Sequence, residues 1–174
     1  MNAPAIRPSK ELRMGLIKSV YFSKAIQEYD PDYEPGDDET QERRPSVSRV
    51  MARAARTGLV QQLVSMLDDG LEEFLDQRYP NHQCRKFGDR IAFLRARNHL
   101  KWPDRVDALR LARNKLAHEV NFFSSFDDWN GTFFTVKREL EHLGVVAGLE
   151  APPEVVATEN FVGVASIEVA GILR

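Results

Sequence analysis

Apolar residues recur along most of this chain at the three- and four-residue spacing of amphipathic helices. The spacing predicts five helices, over 9–29, about 46–77, roughly 83–99, 103 to about 122, and about 132–147. Ser9 is a suitable N-cap for the first helix, and Pro103 suits the first turn of the fourth. The pattern therefore predicts an all-α fold, an antiparallel bundle of four to five helices.

The chain length of 174 residues fits a single domain, with its helical core at about 46–147. The stretch 30–46 is rich in proline and acidic residues and lacks apolar periodicity, so it is interpreted as a mobile acidic loop. The segment 150–174 is dense in β-branched residues. It predicts a short strand or an extended C-terminal arm.

Composition narrows the class of protein. Hydrophobic residues make up 43% and charged residues 29%, and the net charge of -2 gives no overall basic signature for nucleic acid. The single cysteine, Cys84, excludes an internal disulfide framework and a cysteine-based zinc site. No apolar run approaches the roughly 20 residues that span a bilayer, and no signal core is visible. We expect a cytoplasmic protein without membrane contact or cofactor.

The most informative segment is LARNKLAHE, at 111–119 within the predicted fourth helix. At 100° per residue, Asn114 and His118 share a face with Leu111, while Arg113 lies near the edge of the core. The predicted core stripe of this helix consists of Leu109, Ala112, Leu116 and Val120. The polar pair therefore points away from the bundle, beside an apolar residue, which favours a symmetric homodimer contact.

These side chains can cleave RNA without a metal. His118 can take a proton from a ribose 2′-hydroxyl or give one to a leaving oxygen, and Arg113 can bind the phosphate. Asn114 can orient either group. The spacing alone is weak evidence, because Arg95–His99 and Arg138–His142 are close variants of it in the same chain.

The string ARNKLAHE, late in an all-helical chain, resembles the signature of the HEPN superfamily. That signature is an arginine, a polar residue, three to five further residues and a histidine, which Arg113, Asn114 and His118 match. The helix at 50–75 also resembles the first core helix of prokaryotic HEPN proteins from toxin–antitoxin and defence loci. The resemblance covers roughly 46–147.

The resemblance implies a four-helix bundle that dimerises through the motif helix. Active members are metal-independent endoribonucleases that cut RNA by 2′-hydroxyl attack, whereas degenerate members bind a protein partner or nucleotide without catalysis. It also implies an antitoxin or inhibitor protein as a partner. Val120 departs from one group of the family, the toxins that a nucleotidyltransferase silences, which carry a tyrosine at this position. A nucleotidyltransferase partner and its mode of control are therefore in doubt for this chain.

A basic, aromatic-bearing region precedes the motif. The candidate RNA-binding residues are Arg97, Lys101, Trp102, Arg105 and Arg110. They could follow an RNA backbone and stack a base. The alternative is a solvated turn between helices in which Trp102 is a packing anchor.

Four carboxylates cluster on the predicted second helix, at Asp68, Asp69, Glu72 and Glu73. Such a cluster could bind a metal ion, but no histidine lies at ligand spacing. A solvated helix face is the favoured interpretation, and no metal site is predicted.

Overall fold

The computed structural model describes residues 5–29, 47–118 and 129–148, with side chains at 5–26, 54–115 and 129–148. These ranges contain five helices and no strand, which confirms the all-α bundle. The helices are α1 (Lys10–Tyr29), α2 (Val47–Arg78), α3 (Phe87–Arg95), α4 (Pro103–His118) and α5 (Trp129–His142). The predictions made for 30–46, 119–122 and 150–174 fall outside the described residues.

The central element is α2, which contacts each of the other four helices. Its apolar residues are buried on more than one side, because Val60 and Val64 are as fully buried as the leucines at the three- and four-residue spacing of this helix. The other buried apolar residues of α2 are Leu59, Leu63, Met66, Leu67, Leu71, Phe74 and Leu75. Each such side chain contributes about 1.5–3 kcal/mol on burial, so the core is organised around α2.

The first helix packs antiparallel to α2, through Leu12 and Leu16. The backbone of Arg7 exchanges two hydrogen bonds with the side-chain amide of Gln77, at 2.7 and 3.2 Å. Ser9 is the N-cap, as predicted, because its Oγ accepts the backbone N–H of Leu12 at 3.4 Å.

The third helix is shorter than the predicted 83–99. It begins at Phe87, and the backbone N–H of Lys86 donates to the carboxylate of Asp89 at 3.4 Å. It stops because Asn98 adopts the left-handed conformation, with φ of 54°. The N–H of His99 then donates to the carbonyl of Leu94 at 3.0 Å, the Schellman pattern of a helix end.

The fifth helix spans Trp129–His142 rather than 132–147. Gly144 ends it in the same way, with φ of 76°, and the N–H of Val145 donates to the carbonyl of Leu140 at 3.1 Å. The chain then turns inward, and Val146 is buried. None of the helices in the described ranges combines the length and apolarity needed to cross a bilayer.

Gly70 of α2 lies close against Leu140 of α5. A Cβ atom built at this position would overlap Cδ2 of Leu140, and it would stand 3.5 Å from Cδ1 of Leu12. Leu140 is fully buried, and side chains in a close-packed core can shift only slightly. The absence of a side chain at Gly70 therefore allows α2 and α5 to approach.

Gly58 offers a matched comparison, because it is an exposed residue of the same helix and a Cβ there meets nothing within 4 Å. We expect Gly70→Ala to lower the free energy of unfolding by about 1–3 kcal/mol through overpacking. Gly58→Ala should raise it by up to about 1 kcal/mol through helix propensity. Urea denaturation measures both, and equal effects of the two substitutions would contradict this packing.

Candidate functional site

The motif residues lie on α4 as the sequence predicts, as far as their side chains are described. Leu109 and Ala112 are buried, Asn114 is exposed, and the side chain of Arg113 is 38% exposed. His118 is helical, one turn after Asn114, but its side chain is outside the described set. Leu111 is half-buried. The apolar residue expected to face a partner is therefore partly covered within one chain.

Arg113 is ion-paired to a carboxylate of α2. Its Nη1 lies 3.6 Å from Oδ2 of Asp68, whose other oxygen is 2.5 Å from Nη1 of the buried Arg90. Glu72 binds the second amino group of Arg90 at 2.6 Å. The acidic cluster is therefore more than the solvated face favoured from sequence: Asp68, only 17% exposed, joins α2 to both α3 and α4.

Burial and the neighbouring charges shift the pKa values of two residues of this network. Burial raises the pKa of Asp69, and the adjacent negative charges of Asp68 and Glu72 raise it further. Burial opposes the charge of Arg90, but its hydrogen bonds to Asp68 and Glu72, together with their negative charges, outweigh the burial and raise the pKa of Arg90. Among the described residues, no group of three potential ligands is arranged to hold a metal ion.

Three of the five candidate RNA-binding residues come together at the start of α4. The Nζ of Lys101 lies 4.8 Å from the centroid of the Trp102 ring, and Cζ of Arg105 lies 5.2 Å from it. Trp102 also stacks on Phe134 of α5, with ring centroids 5.6 Å apart. The structure therefore contains both arrangements proposed for Trp102, an anchor to α5 and an aromatic flanked by cations.

The other two candidates make different contacts. Cζ of Arg97 lies 3.5 Å from the centroid of the Phe93 ring, and its guanidinium donates to the carbonyl of Phe93 at 3.3 Å. Arg110 donates to Asp107 at 2.7 Å and passes close to Gly88 of α3. Each of these two cations therefore has a contact within the bundle.

Glu139 was missed by the sequence analysis. This residue of α5 is fully buried, and its carboxylate accepts the backbone N–H groups of Lys101 at 2.6 Å and Trp102 at 3.1 Å. Those groups precede Pro103, the first residue of α4. A negative charge at this end also complements the helix dipole. No local pattern in the sequence indicates these contacts, because Glu139 lies more than thirty residues from Lys101 and Trp102.

A second missed feature is a hydrogen bond of 2.5 Å between the hydroxyl of Tyr79 and Nε2 of His99. Burial lowers the pKa of His99, and the charge of Arg78 lowers it further. Arg97 and His142 act in the same direction. His99 is therefore held neutral at neutral pH, as one member of an aromatic cluster between α2 and the α3–α4 turn.

No family model matches this chain, and neither a curated protein nor a solved structure matches it. The HEPN resemblance therefore depends on the motif, its place on α4 and the all-α bundle.

The network around Arg90 predicts opposite behaviour for two adjacent aspartates. Asp68→Asn should lower the free energy of unfolding by about 1–3 kcal/mol, because it weakens the charged hydrogen bond to a buried guanidinium. Asp69→Asn should leave stability unchanged or raise it, because the fold already disfavours the Asp69 charge at pH 7. Urea denaturation at pH 7 compares them. Similar losses in both variants would exclude a specific role for Asp68.

The carboxylate of Glu139 predicts a second effect on stability. Glu139→Gln replaces one acceptor oxygen by a donor that faces a backbone N–H, so we expect a loss of about 1–3 kcal/mol. Asp104→Asn is the matched control, since it removes a carboxylate from the same helix end but from an exposed pair with Arg95. Its cost should stay below about 1 kcal/mol. Thermal unfolding measures both, and an equal loss in the control would contradict the role of Glu139.

Proposed function

We propose that this protein is a HEPN-type endoribonuclease that cuts RNA without a metal ion, as a toxin or defence effector. The observation that carries the proposal is the order Arg113, Asn114 and His118 on α4 of an all-α bundle. Its support is the match to the family motif, together with the partial exposure of Arg113 and the exposure of Asn114.

In the proposed reaction, His118 acts as general base on a ribose 2′-hydroxyl. The 2′-oxygen attacks the adjacent phosphorus, the bond from phosphorus to the 5′-oxygen breaks, and a 2′,3′-cyclic phosphate remains. The leaving 5′-oxygen takes a proton from a second histidine. Arg113 stabilises the charge that develops on the phosphate oxygens, and Asn114 supports the geometry.

The contacts of Arg113 are compatible with phosphate binding. Asp68 lies 2.5 Å from Arg90 but 3.6 Å from Arg113, so its stronger partner is the buried arginine. When a phosphate binds Arg113, Asp68 keeps a neutralising partner. The guanidinium can therefore change partners without leaving a half-buried carboxylate unpaired.

A homodimer is part of the proposal, because one chain supplies one His118 while the reaction needs a base and an acid. A two-fold contact between α4 helices would bring two copies of Arg113 and His118 into one cleft. RNA is the substrate, and an antitoxin or inhibitor protein is the expected further partner of a toxin.

The test is cleavage of single-stranded RNA by the full chain in EDTA. Wild-type protein should release cyclic phosphate ends, and the specific activity should fall when dilution separates the dimer. His118→Ala should lower the rate by at least about 100-fold, the contribution of a positioned acid–base group, and Arg113→Ala by a similar factor, since it removes the charge that stabilises the transition state.

Two matched controls make this test specific. His142→Ala and Arg13→Ala remove exposed residues of the same types outside the motif, and both should cleave at the wild-type rate. Cleavage that survives the loss of His118 and of Arg113, or that requires a divalent metal, would exclude the mechanism.

A second candidate function is a non-catalytic helical module that binds a protein partner. It is favoured by Met14, Tyr21 and Phe22 of α1, which are large hydrophobic side chains left 47–70% exposed. Wild-type protein that cleaves no RNA but binds a partner through this face would support the module. Tyr21→Ser with Phe22→Ser should then abolish partner binding and leave the helical content unchanged.

A further inference from the structure

The start of α4 carries an aromatic pair in a fixed position. The rings of Trp102 and Phe134 stack with an angle of 25° between their planes. The backbone beside Trp102 is held by the buried carboxylate of Glu139. Both rings are half-buried, so each keeps part of its surface open to solvent. The pair is therefore a rigid feature of the surface where α4 and α5 meet.

Three cations surround this pair. Lys101 and Arg105 lie over Trp102, and Cζ of Arg138 lies 5.5 Å from the centroid of the Phe134 ring. Lys101 is exposed, and the side chain of Arg138 is 39% exposed. Contact with the rings limits how far these long side chains move. The result is a group of positive charges whose positions are set by one aromatic stack.

The nearby carboxylates offset only part of these charges. Glu139 is buried and uses its oxygens on backbone N–H groups. Asp104, in the first turn of α4, pairs with Arg95 at 2.6 Å. Glu141 lies 3.7 Å from Arg138 and 3.8 Å from Lys137. A net positive charge therefore remains around the aromatic pair.

We infer that Lys101, Trp102, Arg105, Phe134 and Arg138 form a docking platform for the backbone and bases of single-stranded RNA. Cations that follow phosphates beside an aromatic surface that stacks bases are the combination by which proteins hold single strands. An acidic peptide would satisfy the cations but offers no base to the rings. Phe134 and Arg138 join the platform from α5, and no sequence motif indicates a function for either.

The platform lies at a defined distance from the motif. Trp102 precedes Arg113 by eleven residues, which is about 16 Å along a helix and about five nucleotides of a stacked strand. That the ligand of the platform is RNA rests on the proposed function. The platform further implies that the substrate is a single strand long enough to contact both places.

The experiment measures binding by anisotropy of a labelled, unstructured RNA about twice as long as that span, in the His118→Ala background. Adding Lys101→Gln with Arg105→Gln should raise Kd at least about tenfold. It should also reduce the slope of log Kd against log salt by about 1.4, or about 0.7 for each phosphate that is no longer neutralised. A dinucleotide, which is too short to contact both the platform and the motif, should bind the parent protein more weakly than the longer RNA does.

Two controls accompany this measurement. Arg13→Gln with Lys18→Gln makes the same charge change on exposed positions of α1 and should change Kd less than about twofold. RNA should quench the emission of Trp102, and Trp102→Phe should abolish the quenching while it keeps an aromatic ring against Phe134. Trp129, the other tryptophan, is buried on α5.

The outcomes separate this inference from the proposed function. Cleavage by wild type with unchanged RNA affinity in the Lys101 and Arg105 variant would overturn the platform and leave the nuclease. RNA affinity that depends on the platform, without any cleavage by wild type, would support the platform and exclude the nuclease. Displacement of RNA by polyglutamate at equal charge concentration would overturn the inference in favour of an acidic protein partner.

Discussion

The arrangement of this bundle depends on one carboxylate, that of Asp68. Arg90 is buried, and a buried guanidinium is costly unless a negative charge lies beside it. Asp68 supplies that charge from α2, and its second oxygen faces Arg113 on α4. The interaction that neutralises a core cation therefore also sets the position of the motif arginine relative to α2 and α3.

A second carboxylate constrains α4 at its other end. Glu139 binds the backbone just before Pro103, so the first turn of α4 is joined to α5 through two charged hydrogen bonds. Asp68 acts ten residues into the same helix, at Arg113. Because α4 is held at both places, the aromatic pair at its start and the motif near its end keep a fixed separation. The proposed binding of one strand at both places would need such rigidity.

The sequence predicted the existence and order of the five helices, because helical periodicity and caps such as Ser9 are local signals. The predicted ends of several helices were wrong. The predicted third helix continued to 99, whereas the left-handed Asn98 ends it earlier, and an asparagine signals such an end less strongly than a glycine. The contacts of Glu139 and Asp68 were not predictable, since each joins residues more than twenty positions apart and pairing at that distance leaves no local pattern.

The net charge of -2 by itself argues against an RNA-binding protein, but the positions of the charges change its meaning. The negative charge of Glu139 lies in the interior, whereas Asp68 and the buried Arg90 form a pair that adds no net charge. The cations at the start of α4 stay at the surface, held by Trp102 and Phe134. The total charge therefore underestimates the positive surface beside α4. An RNA strand near the start of α4 would interact mainly with these local cations, since charges more than about 10 Å away are largely screened by salt.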